Sequence, residues 1–172
     1  ESDLDEAGFG LDDIDAVVMS HLHLDHAGGL ENFAGTDVPI YVHREELPYA
    51  YYSAKTGEGS IAYLASDFDH DLNWQVVRGD SYRLAEGVEL LHLPGHTPGL
   101  MGALVERADE PLLVVGDEAY VEANYGGQAM ATSLLWNNAA WRDSLARCRD
   151  IQRESGAEIL LGHDLSVFES VS

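Results

Sequence analysis

The stretch Met19-Ser20-His21-Leu22-His23-Leu24-Asp25-His26-Ala27-Gly28-Gly29 constrains this chain more than any other. It directly follows the Val-rich run 15–19 and places three imidazoles and one carboxylate within six residues. At the end of a strand the chain turns, and the strict alternation of side chains lapses. Histidine nitrogens and a carboxylate are borderline and hard ligands, suited to zinc or a related divalent ion. A solvated, histidine-rich turn is the competing reading. Four ligand-type residues in six, behind a buried strand, argue against it. Gly28-Gly29 is expected to let the backbone approach the site and enter a short helix after Asp25 without a Cβ clash.

The rest of the chain alternates short apolar runs with helix-like segments, which predicts an α/β class. Strands are expected at 16–19, 39–42, 74–77, 88–93, 102–105, 112–115 and 158–161. Turns punctuate them at Arg78-Gly79-Asp80, Glu86-Gly87 and Pro94-Gly95. After Asn137-Asn138, the residues Trp141, Leu145, Cys148 and Ile151 form one apolar helical face that stops at Ser155-Gly156. A second helix is expected over 44–54, with Pro48 in its first turn. With 172 residues and 45% hydrophobic content, residues 1–172 read as one domain with enough apolar material for a core.

Thirty-one acidic residues against nine basic ones give a formal net charge of −22, and Lys55 is the one lysine. Such a field repels nucleic acid and anionic membrane. The acids are spread among strand-like segments, not gathered in a tail. That distribution suits a halophilic surface, on which salt screens self-repulsion. No stretch approaches the roughly 20 apolar residues of a membrane span. Cys148 stands alone, so no internal disulfide forms and a reducing compartment is the default. Glu1-Ser2-Asp3-Leu4-Asp5-Glu6 has neither the basic nor the apolar part of a signal peptide. A cytoplasmic location is therefore expected.

The histidine stretch resembles the His-x-His-x-Asp-His signature of the metallo-β-lactamase superfamily, residue for residue. The resemblance implies an αββα sandwich with two divalent ions. His21 and His23 would bind the first ion, Asp25 and His26 the second. The remaining family ligands find matches behind later strands: His96 in Leu93-Pro94-Gly95-His96, Asp117 in Val115-Gly116-Asp117, and His163 in Leu161-Gly162-His163. His96 would complete the first ion's set, Asp117 would bridge both ions, and His163 would complete the second set. Leu100 departs from the pattern, since many relatives have a histidine there. His43, His70 and His92 are left out of the site: His43 as a helix start, His70 in a solvated acidic loop, His92 within a strand. Only twenty residues precede His21, where the family has several strands. Part of the N-terminal half-sheet is expected to be missing, as in an N-terminally truncated chain.

Two divalent ions roughly 3.5–4 Å apart hold a bridging hydroxide at neutral pH and polarise a carbonyl or phosphoryl oxygen. Zinc is the first expectation, with manganese, iron or cobalt as alternatives. Tyr120, three residues after Asp117, resembles the N-acyl-homoserine lactonase branch. It implies a phenol that steadies the oxyanion while Asp25 and Asp117 hold the ions. His43-Arg44-Glu45-Glu46, Arg78-Gly79-Asp80 and the close of the chain also look lactonase-like. A small lactone or ester is the implied substrate, nucleic acid and membrane are not, and a homodimer is left open. Thioester hydrolysis of the glyoxalase II type shares all seven ligands, but that branch carries a further C-terminal substrate-binding region. A catalytically inactive metal-binding relative is the non-enzymatic alternative. β-Lactam hydrolysis is disfavoured because Asp117 stands where that branch uses a cysteine-type ligand.

Overall fold

The computed structural model describes residue 4, residues 6–126 and residues 130–164. The lactonase-like close of the chain beyond Asp164 lies outside the described residues, as do residues 1–3 and 5 of the acidic opening. Eight strands form two sheets among the described residues. The first contains β1 (Val17–Val18), β2 (Pro39–His43) and β3 (Asn73–Val77), all parallel and in that order. The second contains β4 (Ser81–Ala85), β5 (Val88–His92), β6 (Met101–Val105), β7 (Leu112–Gly116) and β8 (Glu158–Leu161). Its pairing is antiparallel from β4 to β7, and β8 runs parallel to β7.

Side-chain alternation along these strands builds the layers. Ile40 and Val42 of β2 bury their side chains with Leu22, Ala50, Tyr63 and Phe68. That cluster joins the first sheet to α1 (Leu24–Ala27), α2 (Glu46–Thr56) and α3 (Ala65–Phe68). Tyr41, one residue out of phase, instead meets Val77, Leu90 and Met101, so the two sheets face each other there. Leu91, Leu113, Val115 and Leu161 point away from that interface into a cluster with Tyr125 of α4 (Glu122–Tyr125) and with Trp141, Leu145 and Cys148 of α5 (Asn138–Ser155). The result is helices, sheet, sheet, helix, the expected αββα sandwich.

The α5 helix shows how the sequence positions the site. Its amide ends are capped by the Asn137 side chain, which accepts from Ala139 N and Ala140 N. Burying Trp141 and Leu145 contributes about 1.5–3 kcal/mol each. Trp141 Nε1 donates to Glu118 O at 2.7 Å, and Ser144 Oγ donates to Pro94 O at 2.8 Å. The helix is thus tied to the two loops that carry Asp117 and His96.

Some local expectations are corrected. The α2 helix begins at Glu46, because Arg44 N still donates to Val77 O and extends the β2–β3 ladder. His43 is therefore the last residue of β2, not a helix start. It stacks on His92 between the sheets, with ring centroids 3.6 Å apart. The short helix at the histidine motif starts at Leu24, before Asp25. His70 is half-buried rather than solvated. Gly28 and Gly29 are not required for close approach: among the described residues a Cβ at Gly28 would meet only Leu24 O at 3.5 Å, and one at Gly29 would meet nothing within 4 Å.

Candidate metal centre

All seven predicted ligands converge: His21, His23, His96, Asp117 and His163 lie in loops that follow strands, and Asp25 and His26 lie on α1. Two donor sets result. His21, His23 and His96 form one, and Asp25, His26, Asp117 and His163 form the other, the atoms of each lying within 4.8 Å of one another. In the first set, His23 Nδ1 lies 3.1 Å from His21 Nε2 and 3.0 Å from His96 Nε2. Tetrahedral zinc with nitrogen ligands at about 2.05 Å requires a nitrogen separation of about 3.3 Å, close to what these rings adopt.

The outward-facing ring nitrogens show why the inward ones point where they do. His96 Nδ1 donates to the Ser133 carbonyl at 3.2 Å, which leaves Nε2 as the lone pair. Ser20 Oγ lies 3.2 Å from His21 Nδ1 and Ser60 Oγ 3.1 Å from His23 Nε2, where each hydroxyl can accept from the outer N–H when the inward nitrogen binds a cation. Burial holds the pKa of all three rings down, that of His23 to about 4. A cation at the point on which these three neutral rings converge would take a lone pair from each.

Asp117 connects the sets. Its Oδ2 lies 3.4 Å from His96 Nε2 and 3.7 Å from His21 Nε2. Its Oδ1 lies 3.3 Å from His26 Nε2 and 3.2 Å from His163 Nε2. Gly116 makes this aim possible: its φ of +53° sits at the register shift where β7 leaves β8. Asp25 Oδ2 closes the second set at 3.7 Å from His26 and 3.8 Å from His163. Burial disfavours charge on both Asp117 and His26, yet their mutual attraction dominates, lowering the Asp117 pKa and raising that of His26. Among the described residues, His26 Nε2 and Asp117 Oδ1 are nonetheless buried without a well-formed hydrogen bond. Buried polar atoms need partners, and these two fit the oxygen and nitrogen donors of a second cation. The donor chemistry therefore suits two divalent ions.

Tyr120 stands at the edge of both sets. Its ring centroid is 4.9 Å from that of His163 and 5.8 Å from that of His96. Its hydroxyl donates to Ser133 O at 3.2 Å. Burial raises its pKa, so the phenol keeps its proton. Leu134 beside this contact holds a left-handed φ of 57°, a conformation costly for a leucine, where the chain folds over His96. Leu100 is fully buried in the cluster beneath α5 and leaves the donor sets complete. A cleft of about 530 Å³ reaches His26 and His163 from the inward-facing Val114 and Leu160 of β7 and β8. Tyr120 does not line it, and we assign it to the space between the sheets. Sequence reasoning missed Ser20, Ser60 and Ser133, since no motif marks a serine that orients a ring.

Residues 1–163 match the metallo-beta-lactamase superfamily. The chain is 33% identical over 176 residues to the N-acyl homoserine lactonase AiiB of Agrobacterium fabrum, covering 98% of this chain and 63% of that protein. It is 31% identical over 163 residues to an N-acyl homoserine lactonase of a Bacillus species, covering 94% of this chain and 60% of that one. A crystal structure of an N-acyl homoserine lactone hydrolase, with the product N-hexanoyl-L-homoserine at its catalytic metal centre, superposes with a TM-score of 0.80 at 28% identity. That match covers 97% of this chain and 62% of that one. The chain thus spans about three fifths of the length of these relatives. Sequence match, sandwich topology and the placement of the donors agree, and the chain belongs to the metallo-beta-lactamase superfamily.

Proposed function

We propose that this chain carries the active centre of a two-metal lactonase that opens N-acyl-homoserine lactones or closely related lactones. The observation that carries the reading is Asp117, whose two carboxylate oxygens face separate donor sets. His21, His23 and His96 would hold one ion, Asp25, His26 and His163 the other, and Asp117 both. Zinc suits a set dominated by imidazole. When bound, the pair would supply a hydroxide nucleophile at neutral pH and polarise the substrate carbonyl.

The protein's own part is to position and to donate. The Ser133 carbonyl keeps His96 in the ligating tautomer, and the Ser20 and Ser60 hydroxyls can accept from the outer nitrogens of His21 and His23. Tyr120, protonated and half-buried beside His96 and His163, would turn its hydroxyl from Ser133 to the oxygen that gains charge as the ring opens. No protein nucleophile is required. Similarity to the homoserine lactonases supports the choice of lactone over thioester. The acidic surface, with one lysine, supports operation at high salt.

The test is acid release by the metal-loaded full-length protein in a pH-stat, with N-acyl-homoserine lactones, acyl thioesters and phosphodiesters as substrates. The expected result is lactone opening well above the other two classes. A preference for thioester would replace the lactone reading. Absence of turnover on all three, with both ions bound, would favour the inactive relative.

A further inference from the structure

Glu46 opens α2 and is fully buried, yet among the described residues all four of its hydrogen-bond partners are neutral. Its Oε1 accepts from Leu22 N at 3.0 Å and from the Tyr63 hydroxyl at 2.8 Å. Its Oε2 accepts from Thr97 Oγ1 at 2.7 Å and from Gly99 N at 3.2 Å. Leu22 separates His21 from His23, and Thr97 follows His96. One side chain thus fastens together the two loops that deliver all three nitrogens of the first donor set. Tyr63 adds to the arrangement, with its ring centroid 4.5 Å from that of His23. The approach is tight: a Cβ at Gly99 would stand 2.3 Å from Glu46 N and 2.5 Å from Glu46 Cβ. Only glycine lets the loop after His96 close on the start of α2.

We propose that Glu46 is a positioning residue for the metal centre, setting the spacing of His21 and His23 against His96 and hence the affinity of the first ion without touching it. The proposal rests on the two-ion reading given above. The chemistry requires a carboxylate. Each of its oxygens faces one backbone N–H, Leu22 on one side and Gly99 on the other, and a backbone N–H cannot turn round to accept. An amide in place of the carboxylate would therefore oppose one N–H with its own NH2 in either orientation. Burial alone raises the pKa of this group, and the four donated bonds oppose that rise. Glu46 braces the first set alone: among the described residues no hydrogen bond joins it to Asp25, His26, Asp117 or His163.

The test compares full-length wild type with Glu46→Gln by zinc competition against a chelator and by absorption of the cobalt-substituted protein. The ion of the first set is identified as the one lost in His21→Ala. Glu46→Gln should weaken that ion about ten- to a hundredfold, the usual cost of losing a residue that orients ligands, and should alter its cobalt spectrum. The second ion should respond much less. Thr97→Val, which removes one of the four donors, should weaken the first ion by a smaller factor, and Thr97→Ser should restore it. A purely structural role would lower the melting temperature and leave both affinities unchanged. That outcome in folded Glu46→Gln would overturn the proposal, as it would in the Thr97 pair if Glu46→Gln does not fold. Wild type that binds no ion would overturn the two-ion reading, and this proposal with it, a result that the wild-type titration reads separately.

Discussion

The two donor sets share Asp117 but differ in almost everything else. His21, His23 and His96 are at most 1% exposed, each has its outer nitrogen bonded to an oxygen, and their loops are fastened by Glu46. In the second set the Asp25 side chain is 50% exposed and that of His163 is 43% exposed. The first set is built in advance by the fold. The second gathers around one oxygen of Asp117 and is open to solvent on the side of Asp25 and His163. Pre-orientation reduces the ordering cost of binding, so the first set should hold its ion more tightly and the second should exchange more freely.

The largest effect is expected where the two sets meet. Asp117→Ala removes an oxygen from each, so both ions should be lost, with lactone turnover falling at least about a thousandfold, the several kcal/mol an ion supplies. Elemental analysis and pH-stat rates measure it. Retention of both ions would remove Asp117 from the bridging role. The next step separates the sets. His21→Ala should empty the tight site, whereas His163→Ala should weaken only the labile one, read as selective loss in chelator titrations. Equal losses in the two variants would mean that the sets do not differ.

Tyr120→Phe should keep both ions and reduce turnover about tenfold to several hundredfold, with a smaller change in KM. A tyrosine that is merely packed would leave the rate unchanged and shift only stability. Proton release offers a finer contrast. The first-set histidines have lowered pKa values and are already neutral at pH 7, whereas His26 is raised by Asp117 and must give up a proton to bind. Calorimetry in buffers of different ionisation enthalpy should find proton uptake by buffer with the labile ion and little with the tight one. The signs also differ for metal-free stability. Neutral His23 contributes stability above its unfolded pKa of 6.5 that is lost as pH falls towards about 4. Protonated His26 contributes stability present below 6.5 and lost as pH rises through its higher folded value. His23→Gln should flatten the acid limb of the melting curve, and His26→Gln the neutral limb.

The smallest effect concerns the surface. Lowering salt from molar to millimolar should reduce the melting temperature of a chain at −22, through self-repulsion. A flat salt series would remove the high-salt reading and leave the centre untouched.

How much of this was legible in the sequence depended on whether the residue carried its own pattern. His21 to His26, His96, Asp117 and His163 each follow an apolar run, and the structure brings all seven together. The α5 helix was legible from its apolar spacing, its asparagine cap and Gly156. The strand β4 was not, although turns bracket it. It is a mostly exposed edge strand, and Ser81-Tyr82-Arg83-Leu84-Ala85 offers no buried alternation. Glu46 escaped notice because an acid in the first turn of a helix is ordinary. Only the tertiary approach of Leu22, Tyr63, Thr97 and Gly99 makes it otherwise. Gly28-Gly29 drew attention that belonged to Gly99, where backbone and helix meet.

The number and inequality of the ions define this centre most directly. Metal content of the reconstituted full-length protein, followed through stepwise chelation, measures both. The expected result is two divalent ions per chain that leave in two phases, the more labile one being the ion that His163→Ala already lacks. One ion per chain, or none, would contradict the two-ion centre.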